Sequence, residues 1–262
     1  MPLVRKYFHL WTKLTLNSFM AVLTTRFGSF LFLIGKILRF VFFSVFLFTL
    51  FTQTKFLAGY SLAQTLFFYM TFNLIDTTTQ LFFREVYRFR PMVVNGDFDL
   101  VLVKPISPLF RALAGGADPL DLFMLIPYVG ALIYIGTGLQ VNFWRTALYL
   151  TLFANALVIA AGFHILVLAL AILTTEIDHA IMIYRDLTNM GRMPVDIYHE
   201  PLRSIITFVI PVGVMMTFPA KALMGVLSPG FAIGSLIFGA VFIYACYRLW
   251  QYALSRYASA SS

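Results

Sequence analysis

Arg84 to Asp118 reads REVYRFRPMVVNGDFDLVLVKPISPLFRALAGGAD and is the longest polar interval of this 262-residue chain. Long apolar runs flank it on both sides, so it is predicted to be a loop between two membrane spans. Its five basic residues are Arg84, Arg88, Arg90, Lys104 and Arg111. Basic residues in short loops are retained on the cytoplasmic side during membrane insertion. We therefore expect the segment 84–118 to be cytoplasmic and to form the surface that contacts a cytoplasmic partner.

The composition indicates a membrane protein. The chain is 60% hydrophobic and only 11% charged, with a mean hydropathy of +0.86, whereas soluble domains carry about 25% charged residues. The prediction is an all-α polytopic membrane protein, with the lipid bilayer as its solvent. The net charge of +8 comes from Lys and Arg concentrated beside the hydrophobic runs, where topology and anionic lipid account for them. No nucleic-acid partner is expected. The single cysteine, Cys246, excludes an internal disulfide and is expected to be a buried small hydrophobe.

Residues 1–25 predict an amphipathic helix. At 100° per residue, basic and polar side chains such as Arg5 and His9 gather on one side, and Tyr7 and Trp11 gather opposite. Such a helix is suited to lying in the cytoplasmic membrane interface. The alternative is that these residues form a ragged, more deeply inserted start of the first span.

Hydropathy predicts five clear spans, each near the length of ~20 residues that a bilayer requires. They are about 27–54, 61–83, 119–138, 143–174 and 230–250. A further span between residues 175 and 229 brings the prediction to six, with both termini cytoplasmic.

The position of the fifth span is ambiguous from sequence alone. One interpretation makes Ser204–Leu223 the span and leaves Thr175–Arg203 in the cytoplasm. The other makes about 175–193 the span, followed over 194–229 by a helical hairpin that dips back into the membrane from the outside. Pro211 and Pro219 disfavour an unbroken span, while an interrupted helix survives at membrane depth where protein covers its free backbone groups.

Motifs for chemistry on this chain are weak. There is no phosphate-binding loop of the form G-x-x-x-x-G-K-[ST], so nucleotide hydrolysis of that kind is not expected here. Glu176 and His179 have the spacing of half a carboxylate metal site, but no second copy exists, so no metal is expected. Asp97 and Asp99 could suggest a phosphate-transfer enzyme; their alternation with Phe98 favours a short amphipathic packing element instead. The prediction is a protein that is not an enzyme.

Two stretches carry a family resemblance. The first is Val94–Pro105, VNGDFDLVLVKP, followed by Pro108-Leu109-Phe110. The second is Gly191–Tyr198, GRMPVDIY, followed by Ile210-Pro211 and by residues 219–225. In order and separation they resemble the membrane subunits of type-2 ABC exporters, in a bacterial permease family with one six-span domain per chain. His199-Glu200 is a departure, because a proline often directly follows the tyrosine in that family.

The resemblance implies a single permease domain over residues 1–262 in the bacterial cytoplasmic membrane. It implies that ATP and magnesium bind on a separate ABC ATPase chain, with no cofactor on this one. It also implies a second permease subunit, identical or a sister chain, and it favours the hairpin over a simple fifth span. The segment 84–118 would supply the coupling element that docks on the ATPase. The residues expected to carry the coupling are Asn95, Gly96, Asp97, Phe98, Asp99, Lys104 and Pro105.

Two charges are predicted to pair inside the membrane. Lys36 in the first span and Asp76 in the second lie ~13 Å and ~12 Å from the cytoplasmic end on a rise of 1.5 Å per residue. The two spans are antiparallel neighbours, so the groups can meet. Arg39 is the competing partner, one helical turn deeper. Alternatively, Lys36 extends to the headgroups and Asp76 faces the pathway alone.

Two other function classes remain open from the sequence. A self-sufficient channel or secondary carrier is expected to have ionisable residues in several spans and an internal repeat. A membrane scaffold without transport is the third class. Retention of an ATPase by the purified chain would distinguish an ABC permease from a channel or carrier and from a scaffold.

Overall fold

The protein is described by a computed structural model that covers residues 3–139, 141–174 and 180–258. These residues form helices joined by short connections. The helices are α1 (Leu3–Thr24), α2 (Arg26–Gln53), α3 (Leu62–Phe83), α4 (Phe89–Val94), α5 (Asp97–Leu102), α6 (Pro108–Leu113), α7 (Pro119–Thr137), α8 (Phe143–Leu173), α9 (Ala180–Asn189), α10 (Leu202–Val209), α11 (Gly213–Met224) and α12 (Pro229–Ser255).

Within the described residues, four helices are long and apolar enough to cross a membrane. They are α2, α7, α8 and α12, and the α10–α11 pair makes a fifth crossing if it is one span. Each of the four coincides closely with a span predicted from hydropathy, because length and apolarity are the two properties that a bilayer demands. The predicted all-α polytopic membrane fold is confirmed.

Helix α3 lies at the centre of the bundle. It packs against α7 and α8, and most of its side chains are buried, Phe67, Phe68 and Ile75 among them. Some of its buried polar groups bond within the helix: the Asn73 amide donates to the Tyr69 carbonyl over 2.7 Å. Because neighbouring helices cover it, α3 needs less apolar surface than the helices around it.

A second tight contact joins α8 to α12. The Asn155 side-chain amide donates to the Ser235 carbonyl over 2.9 Å. A Cβ added to Gly239 would come within 2.1 Å of Asn155 Oδ1, so only glycine allows this approach. Small residues let membrane helices pack closely in this way. Cys246, on the same helix, is buried, as expected.

Helices α10 and α11 are bent by 78° relative to each other. Pro211 lies in the break between them, where it removes a backbone donor and clashes with the preceding turn. Ser204–Leu223 is therefore not one unbroken helix, and the bent pair fits both a broken fifth span and a re-entrant hairpin. Glu200, at the departure from the family pattern, accepts from the Ser204 backbone amide over 3.2 Å.

The segment 194–229 lies at one end of the bundle. The carboxylate of Asp196 accepts from the Tyr60 hydroxyl over 3.0 Å and pairs with Lys221 at 2.7 Å and Arg203 at 3.0 Å. Tyr60 follows the end of α2, whereas the segment 84–118 follows the end of α3. The two segments consequently lie at opposite ends, which we name the hairpin end and the loop end.

Candidate coupling surface and intramembrane charge cluster

The segment 84–118 is folded rather than an open loop. A 3-10 turn, Arg84–Arg88, leads into α4, α5 and α6. Gly96 has a φ of 79°, a left-handed conformation that lets the chain turn sharply between α4 and α5 and that only glycine adopts without strain. Ser107 caps α6 by accepting from the Phe110 amide over 3.3 Å. Asp118 caps α7 by accepting from Leu120 over 2.8 Å.

An aromatic cluster anchors α5 to the end of α12. The side chain of Phe98 is 0% exposed. Its ring centroid lies 5.0 Å from Phe89, 5.3 Å from Tyr257 and 6.4 Å from Trp250. The Tyr257 hydroxyl donates to Asp99 Oδ1 over 2.9 Å. Burial first, and then this bond and the carboxylate charge, raise the pKa of Tyr257 to about 12. We call these five residues the aromatic anchor.

The opposite side of α5 is exposed. Leu100 is 61% and Val103 is 80% exposed, although both are large apolar side chains that a soluble surface rarely presents together. Their exposed neighbours are Val94, Asn95, Asp97, Leu102, Lys104 and Pro105. We call Leu100, Val103 and these six neighbours the α5 face.

The residues predicted to carry coupling therefore separate into two groups. Asn95, Asp97, Lys104 and Pro105 lie on the α5 face, as a docking surface requires. Phe98 and Asp99 point the other way, into the aromatic anchor, and Gly96 forms the turn. Sequence reasoning missed Leu100 and Val103 as surface residues, because an apolar residue in a short helix is more often buried than exposed. Helical spacing was the available signal, since Phe98 and Leu100 are two residues apart and a helix turns 100° per residue, which puts them on different sides.

Helix α1 holds the loop end together from the other side. The Tyr7 ring lies 4.7 Å from that of Phe110, and its hydroxyl accepts from the Ser107 amide over 3.0 Å. Thr15 accepts from the Ala117 amide over 3.1 Å. The apolar side of the predicted amphipathic helix thus packs on the protein's own loop end.

The predicted Lys36–Asp76 pair is not the one that forms. Lys36 pairs with Asp121, in the first turn of α7. Asp76 instead has Arg39 as its partner, at 3.9 Å, which was the competing possibility. Asp121 also lies 3.5 Å from Arg84, so the Lys36 ammonium is at the loop end and Asp76 is deeper. Counting residues from an assumed membrane boundary placed the two groups at the same level, whereas the register of α2 against α3 differs by about one turn.

A cavity of about 590 Å³ opens between α2, α3, α7 and α9. Its polar lining includes Lys36, Arg39, Asp76, Gln80, Arg84, Tyr87, Asp121 and Arg185, and its apolar lining includes Leu31, Phe32 and Met124. A second cavity of about 600 Å³, between α1 and the segment 84–118, shares Phe32, Arg84 and Arg88 with the first. The loop end therefore gives access to polar space within the bundle.

The described residues offer no metal centre: no three histidine, cysteine or acidic side chains among them lie close enough to hold an ion. The Glu176–His179 pair lies outside the described residues.

A family model described as "ABC-2 family transporter protein" matches residues 34–261. The chain belongs to this family. The match covers both stretches that carry the sequence resemblance, and it includes the α5 face, the aromatic anchor and the whole helical bundle from α3 onward. The protein is thus an ABC-2 permease, a multi-pass membrane component of a transport system. No match was found among curated proteins or among solved structures.

Proposed function

We propose that this ABC-2 permease is driven by ATP hydrolysis on a separate ABC ATPase, which docks on the α5 face, and that it works as an exporter. The observation that carries the proposal is the α5 face itself. It presents exposed Leu100 and Val103 beside Asp97 and Lys104, a mixture of apolar and charged groups that is typical of a protein interface.

The aromatic anchor supports transmission of movement from that face. Phe98 and Asp99 attach α5 to Trp250 and Tyr257 at the end of α12. A partner that displaces α5 would therefore push directly on a helix that spans the bundle. Packed elements with buried contacts shift as units rather than deform continuously.

Charge supports a cytoplasmic position for the loop end. Its basic residues include Arg88 and Arg90 in the segment 84–118 and Arg256 after α12. Cytoplasmic ends of spans carry such an excess of Lys and Arg. With the loop end inside, both termini are cytoplasmic, and the segment 194–229 is extracytoplasmic and acts as a re-entrant hairpin. The α5 face then meets the compartment that contains ATP.

A second permease subunit, identical or a sister chain, is part of the proposal. Helix α2 leaves large apolar side chains such as Phe42, Val45 and Phe46 exposed, which supports a partner surface along this helix. The export direction rests on the resemblance of residues 94–110 and 191–225 to exporters.

The test is retention of the ATPase by tagged full-length chain purified from its native membrane. Wild-type chain is expected to retain an ABC ATPase, and Leu100→Glu or Val103→Glu to lose it while keeping the same membrane yield. Val226→Glu is the control, because Val226 is also an exposed apolar residue but lies at the hairpin end. Full ATPase retention by both α5-face variants would refute the docking proposal.

A secondary carrier is the second candidate, and the intramembrane charges at Arg39, Asp76 and Arg185 are the observation that favours it. A carrier would transport in proteoliposomes that lack any ATPase, driven by an ion gradient. The ABC permease is expected to show no transport in those proteoliposomes and to require both the ATPase and ATP.

A further inference from the structure

Three arginines surround one carboxylate deep in the bundle. Arg39 on α2 lies 3.9 Å from Asp76 on α3. Arg185 on α9 lines the cavity of about 590 Å³ together with Arg39 and Asp76. Arg192, just after α9, lies 6.0 Å from the ring of Phe72, one turn from Asp76 on α3. Among the described residues, Arg39 is the one of these three arginines that has a carboxylate within 4 Å. The cluster of Arg39, Arg185, Arg192 and Asp76 carries a formal charge of three positives against one negative. We call it the arginine cluster.

The charges at the loop-end mouth of the same cavity balance one another. Lys36 pairs with Asp121, and Arg84 pairs with Asp118. Two positive charges there meet two negative ones. The excess positive charge of the cavity is consequently concentrated at the arginine cluster rather than spread along its length.

The arginine cluster lies at membrane depth. Asp76 precedes Arg84, at the end of α3, by eight residues, or ~12 Å at 1.5 Å per residue. Uncompensated charge at such depth is costly and is found where side chains face a cavity and meet a counter-charge. One carboxylate leaves two of these three guanidinium charges without a counter-charge among the described residues, which favours a further anion at this position.

Aromatic rings hold two of the guanidinium groups in place. Arg185 lies over the Tyr87 ring at 5.8 Å. Arg192 lies 5.8 Å from Phe43 and 6.0 Å from Phe72. The Arg192 Nη2 also donates to Asn189 Oδ1 over 2.9 Å, which occupies one of its five N–H donors. The remaining in-plane N–H groups of a stacked guanidinium can bind the oxygens of phosphate or carboxylate. Arg39 is 45% exposed in its side chain and completes the site from α2.

We propose that the arginine cluster binds one phosphate or carboxylate group of an amphipathic molecule whose hydrocarbon part lies in lipid beside α2. The hydrocarbon part is inferred from Phe42 and Val45, which are exposed on α2 within two turns of Arg39 on its deeper side. This proposal adds a ligand class to the permease function proposed above. It rests on that function only for the position of the cavity in the membrane, and it does not depend on coupling to ATP.

The experiment measures binding of a fluorescent phosphatidic acid to the full-length permease in phosphatidylcholine nanodiscs, without an ATPase. The head-group control is the same fluorophore on phosphatidylcholine. Arg39→Gln and Arg192→Gln are each expected to weaken phosphatidic acid binding about tenfold, since a hydrogen-bonded charge is removed in each. Arg248→Gln is the matched control, because Arg248 lies on α12 and is bonded to Tyr244 outside the cavity. This variant is expected to bind like wild type.

Asp76→Asn separates the proposal from simple misfolding. Removing the one carboxylate makes the site more positive, so this variant is expected to bind phosphatidic acid severalfold more tightly, a gain that a damaged fold cannot produce. A folded Asp76→Asn that binds no tighter would overturn the proposal. So would unchanged binding by both arginine variants, or equal affinity for the two head groups.

The source of the anion is distinguished by competition. Displacement by phosphatidylglycerol built into the nanodisc supports an ordinary bilayer lipid. Displacement by added dodecyl phosphate but not by phosphatidylglycerol supports a dedicated cargo with the same chemistry. Because the ATPase is absent from this assay, loss of ATPase binding in the α5-face variants and loss of anion binding here are independent results.

Discussion

Phe98→Ala tests whether the aromatic anchor transmits movement. The ring is fully buried against Phe89, Trp250 and Tyr257. Removing a buried phenylalanine side chain costs about 3–5 kcal/mol, from lost transfer free energy and the cavity left behind. The rings of Phe89 and Trp250 already lie 5.9 Å apart and close part of that cavity, which places the cost near the lower value.

The loss is confined to the attachment of α5, because α5 is a six-residue helix whose own hydrogen bonds are too few to hold it. At ~1.4 kcal/mol per tenfold change, a loss of ~3 kcal/mol increases the open population of α5 about 150-fold. Amide hydrogen exchange over residues 89–102, measured on the chain in nanodiscs, is expected to accelerate by up to that factor. Exchange in α8 is expected to stay unchanged, and transport with the ATPase is expected to fall although hydrolysis continues.

Phe8→Ala is the control, since Phe8 is an exposed phenylalanine on α1 and its loss opens no cavity. It is expected to leave exchange over residues 89–102 as in the wild type. Wild-type exchange and wild-type transport in Phe98→Ala would refute the reasoning. Faster exchange with fully coupled transport would show that the anchor is structural only.

Asp121→Ala is expected to lower the folded yield, measured by size-exclusion chromatography, because leaving one partner of a buried ion pair alone costs about 3–5 kcal/mol. Adding Lys36→Ala should restore part of that yield. A double variant no better than the sum of the two single variants would contradict the ion pair. With the native cysteine replaced by serine, His199→Cys is expected to react with an impermeant maleimide added outside intact cells; labelling only after permeabilisation would place the hairpin end inside. Because the pKa of Tyr257 is raised from 10.0 to about 12, its bond to Asp99 is expected to stabilise the anchor fully below pH 10 and to be lost as the pH rises through 12. The absorbance difference at a wavelength specific for tyrosinate between wild type and Tyr257→Phe should therefore titrate near pH 12, and titration near pH 10 would argue against the bond.

Four of the predicted membrane spans, those of α2, α7, α8 and α12, were predictable from sequence because one solvent property decides them. Helix α3, at the predicted second span, is not among the described helices that are apolar enough to cross a membrane by this measure. Hydrocarbon demands about 20 apolar residues per crossing, and local composition records this directly. The ends of α2, α7 and α8 lie within a few residues of the predicted positions. The break at Pro211 was also visible, since proline acts on its own backbone neighbours.

Which charged residues pair, and which side of a short helix is buried, were decided only by the tertiary structure. Lys36 pairs with Asp121, 85 residues away along the chain, since the axial register of α2 against its neighbours is set by packing that hydropathy does not record. The same limit applies to α5, where Phe98 is buried and Leu100 is exposed although both are apolar. Hydropathy gives each residue a preference for leaving water. Which of two such residues is covered depends on where α12 ends, and that position is fixed by contacts distant in sequence.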